Sequence, residues 1–189
     1  MSRIRIYFEG DAALAEGLEE FLKIEFTLAR SHRIRIDLIA AGQKRPEKLA
    51  RIGNETYPKA LHLILMDWSS RRSEVRQKHT YYWIEEMESW FLADADALTK
   101  VLGRCANVKA LPHSANIELI PSAHVFKRLS SATRACGQRK HYDGSHPPLL
   151  ASRILKALDR EKVRARSAEC HRFLKALNDT ILKLASETS

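Results

Sequence analysis

An α/β fold, a parallel sheet of about four strands with flanking helices and an all-helical basic C-terminal part, is predicted by three observations. Up to residue 103, short runs of β-branched and aromatic residues alternate with apolar residues at helical spacing. Each strand-like run stops at an acidic residue or a glycine. Beyond residue 103 no clear strand pattern remains, and most of the positive charge is found there.

The first strand is read at residues 4–8, Ile-Arg-Ile-Tyr-Phe, and it ends at Glu9-Gly10-Asp11. Leu14, Leu18, Phe21 and Leu22 then recur at helical spacing, forming one side of a helix able to cover a sheet. Residues 33–40 repeat the strand character in Ile34, Ile36, Leu38 and Ile39, and Gly42 breaks it before a helical stretch with Leu49 and Ile52. Residues 60–66 are nearly continuous apolar sequence, as expected of a central strand buried on both faces, and they end at Asp67. A fourth strand fits residues 80–84, leading to Glu85, Glu86 and Glu88. Met87, Trp90, Phe91, Leu98, Val101 and Leu102 read as a helix packed on the sheet and closed by Gly103, with Trp90 and Phe91 in the core. Alternating strands and helices imply right-handed crossovers and hence parallel strands.

Further on, Pro121 suits the first turn of a helix with Val125, Phe126 and Leu129. Pro147-Pro148 precedes a helix with Leu150, Ile154, Leu155 and Leu158. Phe173, Leu174, Leu177, Ile181 and Leu184 mark a last helix. A chain of 189 residues is long enough for one domain with a full core, so residues 1–189 are read as one unit, with a sheet core at 1–103 and a helical basic layer at 104–189.

Composition limits the function classes. Hydrophobic residues at 44% and charged ones at 29% describe an ordinary globular chain. No apolar run approaches a membrane span, and the start leads directly into strand pattern instead of a signal peptide, so no membrane association and a cytoplasmic location are expected. Cys105, Cys136 and Cys170 are odd in number and widely spaced, which predicts reduced, mostly buried thiols. Residues 104–175 hold fifteen Lys or Arg against five Asp or Glu, leaving a net −1 for the remainder of a +9 chain. That asymmetry suits a polyanionic partner, nucleic acid above all, and equally suits solvated helix faces.

Phosphate-binding and dinucleotide-binding glycine motifs are missing, as are the nucleophile turn and a histidine pair at zinc-ligand spacing. The remaining candidates are carboxylates. Ligands of open parallel sheets bind beyond the carboxyl ends of the strands, where Glu9, Asp67 and Glu86 or Glu88 would converge. Like charges that close raise one another's pKa unless a cation shares the site. Mg²⁺ favours a few carboxylate oxygens together with waters and phosphate oxygens. Acids after strands also serve as helix caps and first-turn residues, so spacing alone leaves both roles open.

Glu9-Gly10 after strand one, Asp67 after strand three, and Met87-Glu88-Ser89-Trp90-Phe91-Leu92-Ala93-Asp94 together resemble the DUF4276 family of Toprim-like proteins. Lys162-Val163-Arg164-Ala165-Arg166-Ser167-Ala168-Glu169-Cys170 resembles that family's C-terminal segment, so the resemblance covers most of the chain. It implies a fold shared with topoisomerases, primases and several bacterial defence nucleases, in which clustered acids hold Mg²⁺ or Mn²⁺ near a phosphodiester. By that analogy Glu9, Asp67 and Glu88 are the catalytic, metal-holding residues, with Glu86 a neighbouring ligand and Asp94 either a ligand or a helix cap. Family members are often encoded beside ATPases, which implies an AAA- or ABC-type ATPase partner and a place in anti-phage defence.

Toprim proteins commonly carry a second acid two residues past the strand-three aspartate, where Asp67-Trp68-Ser69 offers a hydroxyl. The leading expectation is a Mg²⁺-dependent phosphodiesterase acting on DNA or RNA. The alternative is a non-catalytic Toprim-like subunit that binds nucleic acid or an ATPase. A further rival is an interaction module pairing with its own copy.

The loop Arg139-Lys140-His141-Tyr142-Asp143-Gly144 mixes cations with an aromatic ring, which suits a phosphate backbone and a stacked base. Arg139, Lys140, His141, Arg164 and Arg166 are the expected nucleic-acid contacts, and His141 also has the pKa of an acid or base.

Overall fold

The structure, a computed structural model, describes residues 2–42, 44–67, 79–83, 86–142 and 148–187. Trp68, Ser69, Ile84, Glu85, Asp143, Gly144 and Pro147 lie outside the described residues, as do the side chains of Trp83, Arg139 and Pro148.

Four strands, β1 (Arg3–Phe8), β2 (Arg35–Ala40), β3 (Leu61–Asp67) and β4 (Thr80–Trp83), form a parallel sheet in the order β2-β1-β3-β4. Alternation within β1 explains its two faces. Ile4, Ile6 and Phe8 are fully buried on one side, while Arg3, Arg5 and Tyr7 point to the other. On the first face α1 (Ala12–Phe21) packs against β2 and α8 (Ala168–Ser186) against β4, while α6 (Pro148–Ala157) packs on α1, with Leu18, Phe21, Ile154, Leu155 and Phe173 in one continuous core.

The second face is covered by α3 (Pro46–Thr56). Its Gly53 lies against Tyr7, and a Cβ there would collide with the Tyr7 hydroxyl, so the closeness of α3 to the sheet depends on that missing methyl. Tyr7 is buried and hydrogen-bonds His62 Nδ1 across to β3 at 3.1 Å.

The described residues include helices beyond those read from sequence, α7 (Arg160–Arg166) among them. A second helix, α2 (Lys23–Ser31), follows α1 with only Leu22 between them. After β4, Met87–Ala93 forms a 3₁₀ helix with every residue buried, and α4 (Ala95–Leu102) begins only beyond Asp94. The basic half comprises α5 (Ser122–Thr133), α6, α7 (Arg160–Arg166) and α8.

The expectation of three reduced thiols is corrected. Cys105 and Cys136 are joined in a disulfide with their Cα atoms 5.0 Å apart, and only Cys170 is free and buried. The packing of α5 beside the segment after α4 brings together two residues 31 apart in sequence, a proximity invisible in their spacing.

Candidate carboxylate site at the strand ends

Because all four strands run parallel, their carboxyl ends share one edge. The chain leaves β1 toward β2 on one side and returns on the other as β3, so the reversal of winding falls between β1 and β3. Glu9 and Asp67 stand on the two sides of that crevice, the usual ligand position in open parallel sheets. Beyond β1 the chain turns at Gly10, whose φ of +127° a side chain would rarely adopt.

Backbone geometry draws the acids together. Glu9 N–H donates to the Leu65 carbonyl at 3.0 Å, and the Asp67 N–H donates to Glu9 Oε2 at 3.0 Å. Asp67 pairs in register with Trp83 of β4, and the Met87 N–H donates back to Asp67 Oδ1 at 3.1 Å. The 3₁₀ helix after β4 then presents Glu88, buried, to the same region.

The electrostatics reflect this proximity. Burial pushes the Asp67 carboxyl well above its ordinary value, and the charges of Glu86, Glu9 and Glu88 push it further, against the Met87 N–H. Burial also raises Glu88, whereas a hydrogen bond from the Tyr142 hydroxyl to Glu88 Oε1 at 2.8 Å favours its ionised form. Three of the acids singled out in the sequence, Glu86, Glu9 and Glu88, thus act on the buried carboxyl of the fourth, Asp67. Among the described residues, however, no three His, Cys, Asp or Glu side chains are grouped as a ready metal-ion cage.

Tyr142 is the residue that sequence reasoning misplaced. Instead of stacking on a base it is fully buried, its ring edge-on to Phe91 with centroids 5.9 Å apart. Its N–H donates to the buried Thr133 hydroxyl oxygen at 2.7 Å. Burial, with Glu88 and Glu86 nearby, pushes the Tyr142 hydroxyl well up and keeps it a proton donor.

The cationic candidates go to different places. Arg166 donates to the carbonyls of Leu92, Ala93, Pro112 and Ser114 at 2.6–3.0 Å, so its guanidinium is spent inside the protein rather than offered to a strand. Lys140 Nζ reaches the Leu102 carbonyl at 3.3 Å, and His141 lies between the hydroxyls of Ser130 and Thr133 at 3.4 and 3.3 Å. Arg164 is exposed and pairs with Glu161 at 3.2 Å.

Asp94 caps α4 by accepting from the N–H groups of Asp96 and Ala97 at 3.1 and 3.3 Å. It also accepts from Asp159 N–H at 2.8 Å and Lys162 Nζ at 3.0 Å. Burial works to raise its pKa, but these donors win and hold it below the usual range. Lys162 and Arg166 therefore clamp the end of the 3₁₀ helix that carries Glu88. Asp11 is likewise engaged, capping α1 through Ala13 and Leu14.

No curated protein and no solved structure matches this chain. The model of the family described as "Domain of unknown function (DUF4276)" matches residues 43–178, a span that includes Asp67, Glu86, Glu88, Tyr142 and Arg166 and begins after Glu9. Since that match takes in well over half of the sequence, the chain belongs to the DUF4276 family.

Proposed function

We propose that this protein is a Toprim-like phosphodiesterase that uses Mg²⁺ or Mn²⁺ to cleave DNA or RNA in the cytoplasm. One observation carries the reading: Glu9, Glu86 and Glu88 all act on the buried Asp67 carboxyl at the reversal point of the sheet. Structural helix caps ordinarily sit singly, and repulsion on this scale is a stability cost unless a cation offsets it. The donors are hard carboxylate oxygens, which fit Mg²⁺ or Mn²⁺ better than zinc or copper. When bound, such an ion would polarise a phosphate oxygen and lower the pKa of a water.

Glu9, Asp67 and Glu88 would hold the cation, with Glu86 beside them, while the Asp67 and Met87 N–H groups fix the first two carboxylates. Tyr142 orients Glu88. Among the basic candidates whose side chains are described, Arg164 is the exposed one and would meet a phosphate backbone.

Purified protein supplied with Mg²⁺ or Mn²⁺ should cleave single- or double-stranded DNA or RNA. Glu9→Gln and Asp67→Asn should each lower the rate at least a hundredfold. Equal cleavage by both variants would remove the assignment.

A second reading, a non-catalytic Toprim-like subunit that binds nucleic acid or a partner ATPase, is motivated by Ser69, a hydroxyl where Toprim proteins commonly carry a second acid. It predicts salt-dependent nucleic-acid binding that divalent cations leave unchanged.

A further inference from the structure

The opposite edge of the sheet, where the strands begin, has its own chemistry. Arg3 and Arg35 are direct cross-strand partners in the β1–β2 register, and like charges so placed disfavour the sheet. A single carboxylate, Asp37, serves both, at 3.4 Å from Arg3 and 2.6 Å from Arg35. Among the described residues neither Arg5 nor Lys59 has an ion pair, and the buried Nε of Arg5 has no hydrogen-bond partner.

In place of a carboxylate, Arg5 meets aromatic rings. Its guanidinium lies 4.2 Å from the centre of the Tyr57 ring and 5.5 Å from that of Tyr7, while Arg3 lies 5.3 Å from Tyr57. These contacts fix the plane of Tyr57, which remains 41% exposed. Beside it opens a cavity of about 320 Å³ lined by Arg3, Tyr57, Pro58, Lys59 and Ala60.

We infer that this cavity is a second binding site, taking a nucleoside phosphate with its base against Tyr57 and its phosphate between Arg3 and Lys59. Excess cations beside a held, half-exposed aromatic ring match the two chemical parts of that ligand. An acidic peptide would use the cations but leave the ring and the apolar Pro58 and Ala60 wall without a partner. The volume suits a single nucleotide unit, either free or at the end of a strand. The site is at the far end of the strands from the carboxylates and does not depend on the activity proposed there.

Calorimetric titration of the whole protein at low salt with adenosine monophosphate, a short single-stranded oligothymidylate, inorganic phosphate and polyglutamate tests this. Adenosine monophosphate or the oligonucleotide should bind at least tenfold more tightly than inorganic phosphate or polyglutamate, and the tighter of the two identifies a free nucleotide or a strand end as the source. Tyr57→Ala should weaken binding about tenfold, the scale of one lost base–aromatic stack. The exposed Lys59→Ala should weaken it several-fold and reduce its salt dependence, while Asp67→Asn should leave it unchanged. Failure of both nucleotide probes to bind, binding indifferent to Lys59→Ala and Tyr57→Ala, or equal binding of polyglutamate would overturn the inference.

Discussion

Asp67 is the residue on which burial and charge bear most heavily. Its folded-state pKa is raised, so the folded protein retains a proton over a range in which the unfolded chain has already released it. Its stabilising contribution is therefore complete below the unfolded value of about 3.9 and is lost as pH rises through the folded value, leaving an ionised and repelled carboxylate as a cost at higher pH. Asp67→Asn keeps the acceptor for Met87 N–H and removes that cost. Thermal denaturation without divalent cations should give the variant a Tm higher by a few degrees at neutral pH and a flatter pH dependence; a lower Tm at neutral pH would mean the carboxyl carries no such burden. Tyr142→Phe takes away the donor to buried Glu88 and should cost about 1–2 kcal/mol in denaturant unfolding, against no change if the hydroxyl is idle. At this scale the sequence reveals Glu9 and Asp67 because each ends a strand-like run, and Glu86 and Glu88 because they follow the fourth one closely. It hides Tyr142, whose flanking cations resemble an exposed loop and whose contact with Glu88 spans 54 positions.

Among the elements, the 3₁₀ helix Met87–Ala93 matters most, because it carries Glu88 and is held from a distance. Arg166 ties its carbonyls and those of the Pro112–Ser114 segment to the end of α7. Arg166→Ala would leave several carbonyls without a partner and should destabilise the fold by about 3 kcal/mol, whereas Arg164→Ala on the same helix should cost under about 0.5 kcal/mol. Similar unfolding midpoints for the two variants would contradict the clamp. In α3, Gly53→Ala would ordinarily gain helix propensity, yet the collision with Tyr7 should make it destabilising by about 1–3 kcal/mol. The strands were legible because β-branched runs end sharply at Glu9, Gly42 and Asp67. The split of Met87–Leu102 into a 3₁₀ helix and α4 was not, since residues buried on every side show no period, although capping was already one of the two roles open to Asp94.

Over the whole molecule, several long-range ties among the described residues join the sheet half to the basic half, two of them through the buried acids Glu25 and Asp94. Glu25 of α2 is fully buried and meets Arg160 at 2.8 Å and Asn178 Nδ2 at 3.1 Å, linking α2 to α7 and α8. The second tie is the Lys162–Asp94 contact. The excess positive charge of residues 104–175 is thus partly internal: Arg160, Lys162 and Arg166 serve structural partners, and a charge count alone cannot distinguish them from the exposed Arg164. For the same reason the parallel fold class could be read from patterning, while the disulfide and the nucleotide cavity, which arise from packing between distant segments, could not.

If carboxylates from three strand ends share a cation, calorimetry of Mg²⁺ and Mn²⁺ binding as a function of pH will detect it. Because Asp67 holds its proton above the usual range, binding to the wild-type protein should release protons and tighten as pH rises through that range. Asp67→Asn and Glu9→Gln, both folded, should lose the saturable heat. Binding that is identical in all three proteins, or no saturable binding at any pH, would rule out a shared cation at the strand ends.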